Sequence, residues 1–290
     1  MLGQLHAGSR VALSLTVAAL AFAPPAAASR DAGIAALQVA LHARGLYAGT
    51  IDGLDGPATA NAVKRFQRRA GLRADGIAGP STRGALGRYG RHLLGSRPLA
   101  QGAAGWDVAA LQFMLAWHGF PCSTFDGGFG LHTDSALRRF QRWAGIRADG
   151  VAGPATIAAL RRPPPRSPLR LAWPVRAPLG DGFGPRGTRF HAGIDLSAPQ
   201  GATVRAAAAG RVVFAGFASG GWGRLVVVAD AAGVTTRYAH LADIAVRPGR
   251  LVAVGTPLGT VGATGNATGP HLHFEVRVRG AAVDPQPALP

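Results

Sequence analysis

Gly269-Pro270-His271-Leu272-His273-Phe274-Glu275-Val276 reads as a β-strand entered through a sharp Thr268-Gly269-Pro270 corner. Period-two alternation sets His271, His273 and Glu275 on one face and Leu272 and Phe274 on the other. The apolar pair can pack into a sheet while two imidazoles and a carboxylate share one site. Working back along the chain, short β-rich runs between glycine turns occupy residues 210–217, 224–229, 234–241 and 252–261. No amphipathic helices separate them, so a parallel βαβ arrangement is excluded and a mainly antiparallel β-domain is predicted from residue 171 onward.

That part of the chain contains four histidines, His191, His240, His271 and His273, each in its own local motif. His191-Ala192-Gly193-Ile194-Asp195 sets an imidazole and a carboxylate four residues apart, both good zinc ligands. Gly193 argues against a helix, so the pair belongs at a strand end or in a tight connection. In Tyr238-Ala239-His240-Leu241, alternation turns Tyr238 and His240 the same way, with Tyr238 expected to pack. Glu275 fits two roles equally, orienting a metal ligand or pairing with a nearby arginine. Spacing alone leaves open which residues hold metal.

The ordered set Phe183-Gly184-Pro185-Arg186, His191-x-x-x-Asp195, Tyr238-x-His240-Leu241, Gly269-Pro270-His271-Leu272-His273-Phe274-Glu275-Val276 and Val283-Asp284-Pro285 resembles the lysostaphin-type zinc metallopeptidases over nearly all of residues 171–290. The resemblance implies an antiparallel β-domain with an open groove and one Zn2+ per chain. It implies His191, Asp195 and His273 as metal ligands, and His240 and His271 as catalytic residues. Three protein ligands leave a fourth zinc position for water. One departure from the pattern is the short stretch between Arg186 and His191, which affects one groove wall.

Upstream, residues 35–86 match residues 109–160 at a constant offset of 74, without a gap. Leu37-Gln38 aligns with Leu111-Gln112, Asp52-Gly53 with Asp126-Gly127, and Phe66-Gln67-Arg68 with Phe140-Gln141-Arg142. Asp75-Gly76 and Gly79-Pro80 align with Asp149-Gly150 and Gly153-Pro154. Each repeat reads as three short helices. The first carries Ile34, Leu37, Gln38 and Leu41 on one side and stops at Gly45, the second runs from Pro57 to Gly71, and the third starts at Pro80. These motifs resemble the peptidoglycan-binding domain found beside wall hydrolases, which implies that the repeats bind wall and do no chemistry. Residues 161–170, with four prolines in ten positions, read as an extended linker.

At the other end, Arg10, the apolar run 11–22 and Ala26-Ala27-Ala28 read as a signal peptide, too short to span a bilayer. The net charge is +17, and every segment is basic. Spread charge of this kind suits an anionic polymer. Helix-turn-helix, zinc-finger and RNA-binding signatures are missing, so nucleic acid is not expected as a partner. The single cysteine, Cys122, reads as a buried structural thiol.

The expectation is therefore a multidomain protein: two small three-helix, all-α repeats followed by a mainly antiparallel β metallopeptidase domain. Its segments are a signal peptide (1–28), repeats at 29–95 and 96–162, a linker (163–170) and the catalytic part (171–290). Its function would be secreted, zinc-dependent cleavage of peptide cross-links or bridges in peptidoglycan, at the cell wall or in the periplasm. No membrane span remains after signal cleavage, and oligomeric state is left open. Glycyl-glycine bridges and direct D-amino-acid cross-links both fit. The alternative is a metal-free regulator of another wall hydrolase, against which the intact ligand set argues.

Overall fold

Helical patterning comes first in the chain and extended patterning after it, and a computed structural model describes residues 30–290. The signal-peptide expectation for residues 1–28 lies outside them. Six α-helices come first: α1 (Ala32–His42), α2 (Pro57–Arg69), α3 (Pro80–Ala85), α4 (Trp106–Trp117), α5 (Leu131–Trp143) and α6 (Pro154–Leu160). Proline opens α2, α3 and α6, where its missing N–H costs nothing. Asp31 caps α1, its carboxylate accepting from the Gly33 and Ile34 amides at 2.6 and 2.9 Å.

The repeated glutamines and Asp-Gly pairs prove to be internal staples. Gln38 is buried, its amide donating to Asp52 Oδ1 (2.7 Å), Leu54 O and Thr59 Oγ1, while its oxygen accepts from Gly53 N. Gln112 repeats the arrangement with Asp126, Gly128, Thr133 and Gly127. Gln67 and Gln141 do the same for the second Asp-Gly turn of each repeat. A buried primary amide must satisfy both donors and its acceptor, and these loops are shaped around that demand.

The first helix is not one-sided as expected: Ala35 through Leu41 are all buried. The cause is non-local. Helices α1 and α4, equivalent in the two repeats, pack on each other, and one core cluster holds Leu37 and Leu41 together with Ala109 and Phe113. The repeats thus form one helical unit. Cys122 is buried as expected, and burial pushes its thiol up to about 12.

Residues 161–170 carry neither helix nor strand. Eleven strands follow: β1 (Gly184–Arg186), β2 (Arg189–His191), β3 (Ile194–Leu196), β4 (Thr203–Arg205), β5 (Gly210–Ala218), β6 (Gly223–Ala229), β7 (Val234–Ile244), β8 (Leu251–Val252), β9 (Pro257–Val261), β10 (Leu272–Val278) and β11 (Ala281–Val283). The expected run at 252–261 is two strands, broken where Gly255 takes φ +82°. β1 and β2 form a separate hairpin. The remaining nine build one sheet, its main path ordered β11-β10-β7-β6-β5-β8, with β3 on β10 and β9 between β4 and β7. Every pairing is antiparallel. The main core lies on one face, with Ile194, Leu196, Tyr238, Leu272 and Phe274 fully buried. The other face of β10 and β7 is left for polar chemistry.

Candidate metal centre and catalytic groove

Alternation along β10 delivers His273 and Glu275 to the face opposite Leu272 and Phe274, as predicted. β3 lies beside β10 with Asp195 paired to His273 in register. Gly193 makes this approach possible, because a Cβ there would stand 2.3 Å from Phe274 O and 2.9 Å from Glu275 Cγ. β2 brings His191 to the same point.

Three ligand-type atoms converge there. His191 Nε2 lies 3.0 Å from His273 Nδ1 and 3.1 Å from Asp195 Oδ1, and His273 Nδ1 lies 2.8 Å from Asp195 Oδ1. Tetrahedral zinc with bonds of about 2.0–2.1 Å separates its ligand atoms by roughly 3.3 Å. The triangle is close to that size, and two imidazoles with one carboxylate are a zinc-type donor set.

Each ring is held by its far nitrogen. His191 Nδ1 donates to Gly182 O at 2.8 Å; a carbonyl can only accept, so Nε2 is the nitrogen left free to hold a metal. His273 Nε2 faces Glu275 Oε1 at 3.4 Å, and Arg277 Nε donates to Glu275 Oε2 at 2.7 Å. Glu275 therefore contacts both His273 and an arginine, the two kinds of partner that the sequence left open. Burial of Glu275, 2% exposed, would raise its pKa, yet His273 and Arg277 hold it at about 2. Burial likewise works against protonation of His273, but Asp195 and Glu275 push it up to about 9. Asp195 is half-buried, which works against its charge, yet its bonds to His191 and His273 keep it well below the usual carboxylate range. Its second oxygen accepts from Arg186 Nη2 at 2.8 Å, and the same nitrogen reaches Asp181 at 2.9 Å.

The other two histidines face the triangle. His240 Nδ1 donates to Thr264 O at 2.8 Å and His271 Nδ1 to Gly269 O at 2.9 Å, leaving both Nε2 atoms free. Their ring centroids are 4.8 Å apart, and His240 is 5.9 Å from His273. Burial lowers the His240 pKa, with the neighbouring imidazoles adding to the shift.

One expectation is overturned here. Tyr238 and His240 do not point the same way. Tyr238 is buried in the main core, donating to Thr236 Oγ1 and accepting from Ala207 N. His240 adopts φ +62°, in the left-handed region, at a point where the β6–β7 register shifts. That turn swings its ring out of the core and into the groove.

The sequence motifs missed two contributors. Trp222, in a glycine-rich turn, sets its ring 5.7 Å from His273, and an aromatic among glycines was the available signal. Arg186 stood inside a quoted motif without a role. An open groove of about 650 Å³ runs past His191, Asp195, His240, His271, His273 and Trp222. Such a site can hold a divalent metal, bind an extended chain and move protons beside it.

Known families match both parts of the chain. Peptidase family M23 matches residues 189–285, and the peptidoglycan binding domain matches residues 30–86 and 105–160. Over 97 residues the chain is 48% identical to the DD-carboxypeptidase/endopeptidase Mpg of Neisseria meningitidis, covering 33% of this chain and 22% of that protein. It is 40% identical over 128 residues to the cell division protein DipM of Caulobacter vibrioides, covering 42% and 21%. The matches span about a fifth of these two relatives' lengths. Among solved structures, the catalytic domain of the antimicrobial peptidase lysostaphin from Staphylococcus simulans is 32% identical over 38% of this chain and 90% of that one, with a TM-score of 0.36.

Proposed function

The chain belongs to peptidase family M23 through residues 189–285 and carries two peptidoglycan binding domains ahead of them, and from that premise we propose that it is a zinc-dependent endopeptidase of bacterial peptidoglycan. The observation that carries this reading is the triangle of His191 Nε2, Asp195 Oδ1 and His273 Nδ1, with two further imidazoles facing it across one groove. Those three atoms would hold one Zn2+ per chain. When bound, zinc supplies Lewis acidity, which polarises the scissile carbonyl and makes water acidic enough to attack near neutral pH.

The chain's own residues do the rest. Gly182 O and Glu275 fix the tautomers of the two histidine ligands, and Arg186 engages the Asp195 oxygen turned away from them. His240 and His271, fixed at Nδ1 by backbone carbonyls, present Nε2 to the groove. There they take the proton of the attacking water, donate to the oxyanion and return a proton to the leaving amine. The substrate is a peptide cross-link or bridge, and 48% identity to a DD-carboxypeptidase/endopeptidase supports a bond between D-amino acids. Repeats 29–95 and 96–162 hold the enzyme on the wall, residues 163–170 join them to the catalytic part, 171–290, and residues 1–28 direct export to the wall or periplasm. Among the described residues no helix is long and apolar enough to cross a membrane.

The test is metal analysis of the purified chain together with mass spectrometry of fragments released from walls of defined chemistry. Zinc near one equivalent and new peptide termini at a single bond type are expected. A chain that takes up no zinc under metal-replete conditions refutes the enzyme and leaves the regulator.

A further inference from the structure

The β1–β2 hairpin is a third strut of the metal centre, and it is not held by the β-domain alone. Its two-residue turn, Gly187-Thr188, has glycine at φ +57°, the form that suits a tight hairpin. Both turn carbonyls are taken by the repeats. Ile51 N donates to Gly187 O at 2.9 Å, and Phe125 N donates to Thr188 O at 2.7 Å. Ile51 and Phe125 are equivalent positions, 74 residues apart, each directly before the stapled Asp-Gly of its own repeat. The repeat pair therefore grips successive carbonyls of one turn with the same backbone donor used twice. Thr124 adds a β-bridge to Arg189.

Aromatic packing completes the seat. Trp117, at the end of α4, meets Phe183 edge-on at 6.1 Å and Phe190 at 5.2 Å, and those two rings lie 5.0 Å apart. Phe190 packs against the shared core of the two repeats while also lining the groove. The hairpin that these contacts fix carries His191, one corner of the triangle, and Arg186, which engages the second oxygen of Asp195.

The geometry points to a positioning role for the repeats: the two-repeat unit, through Trp117 and the Ile51 and Phe125 amides, sets the metal centre by fixing the hairpin of His191 and Arg186. This role rests on the metallopeptidase reading above. Wall-binding modules and catalytic domain are then one unit, and losing the seat weakens zinc binding and turnover even on a substrate too small to need wall attachment.

The experiment uses the full chain as wild type, Trp117→Ala and Trp117→Phe, with Phe183→Leu as a milder lesion should Trp117→Ala not melt cooperatively. Three quantities are read: hydrogen exchange of peptides spanning 184–191, zinc affinity by chelator competition, and hydrolysis of a soluble cross-linked peptide. Trp117→Ala should exchange the hairpin faster and bind zinc about tenfold more weakly or worse, as loss of supporting contacts around a metal site typically does. Soluble-peptide turnover should fall with it, and Trp117→Phe should restore all three. A loosened hairpin with wild-type zinc affinity and turnover overturns the role, as does hairpin exchange unchanged in both lesions. A wild-type chain without zinc affinity instead refutes the metallopeptidase reading itself.

Discussion

Replacing Gly193 by alanine tests whether the closeness of β3 and β10 is what assembles the proposed metal centre. The added Cβ would stand 2.3 Å from Phe274 O and 2.9 Å from Glu275 Cγ, where ordinary contact begins at 3.4 Å. A glutamate side chain can yield a few tenths of an ångström, but a strand carbonyl in a paired ladder cannot. The 191–195 segment must therefore move away from β10 by about 1 Å. That shift acts directly on the triangle, because His191 and Asp195 ride on the moving segment and His273 on the fixed strand. Sides of 2.8–3.1 Å would open unequally. Displacements of that size at reacting groups cost on the order of a hundredfold. The overpacking itself costs about 1–3 kcal/mol, which lowers Tm by several degrees at this size. Chelator competition for zinc, run beside thermal melting and peptide hydrolysis, should show affinity and activity falling together. An alanine variant with lowered Tm and unchanged zinc affinity would refute the link between strand approach and ligand geometry.

Single substitutions separate the proposed ligands from the proposed proton carriers: His191→Ala, Asp195→Ala and His273→Ala should lose zinc and activity together by atomic emission and hydrolysis assays. His240→Ala and His271→Ala should keep zinc while activity drops roughly a hundredfold or more, and a zinc-free His271→Ala beside a loaded His273→Ala would reverse the assignment. Gln112→Ala strands the buried Gly127 amide and removes a partner of buried Thr133 in repeat 2, at about 1–3 kcal/mol per buried group; its Tm should fall well below that of Gln101→Ala, an exposed control. His118 is 3% exposed, donates through Nε2 to Leu160 O, and has its pKa lowered by burial. The unfolded chain therefore binds its proton first, and stability is lost as pH falls below about 6.5 towards the lower folded value. Melting curves from pH 7 to 5 should slope less for His118→Gln than for wild type, and equal slopes would contradict this.

The parts of the molecule that could be read in advance are those whose chemistry is local. Alternation in Leu272-His273-Phe274-Glu275 fixes a face, and β10 presents it as expected. The offset of 74 marks equivalent helices, and both repeats fold alike. Three-residue strands such as β1 to β4 escape notice because a period of two cannot establish itself over so few positions. His240 escapes for a related reason, since alternation presumes extended backbone and φ +62° is set by the register shift with β6. Its ring reaches the groove only because that rule is broken.

The all-round burial of α1 and the grip on Gly187-Thr188 depend on packing between units distant in the chain, and no local pattern encodes them. The same limit explains why the Leu-Gln motif invites a binding interpretation although Gln38 and Gln112 are turned inward. Gln38 and Gln112 spend every hydrogen bond on their own repeat. A glutamine amide that is satisfied internally has no donor left for a ligand. The wall contact proposed above therefore falls to residues outside the Leu-Gln pairs.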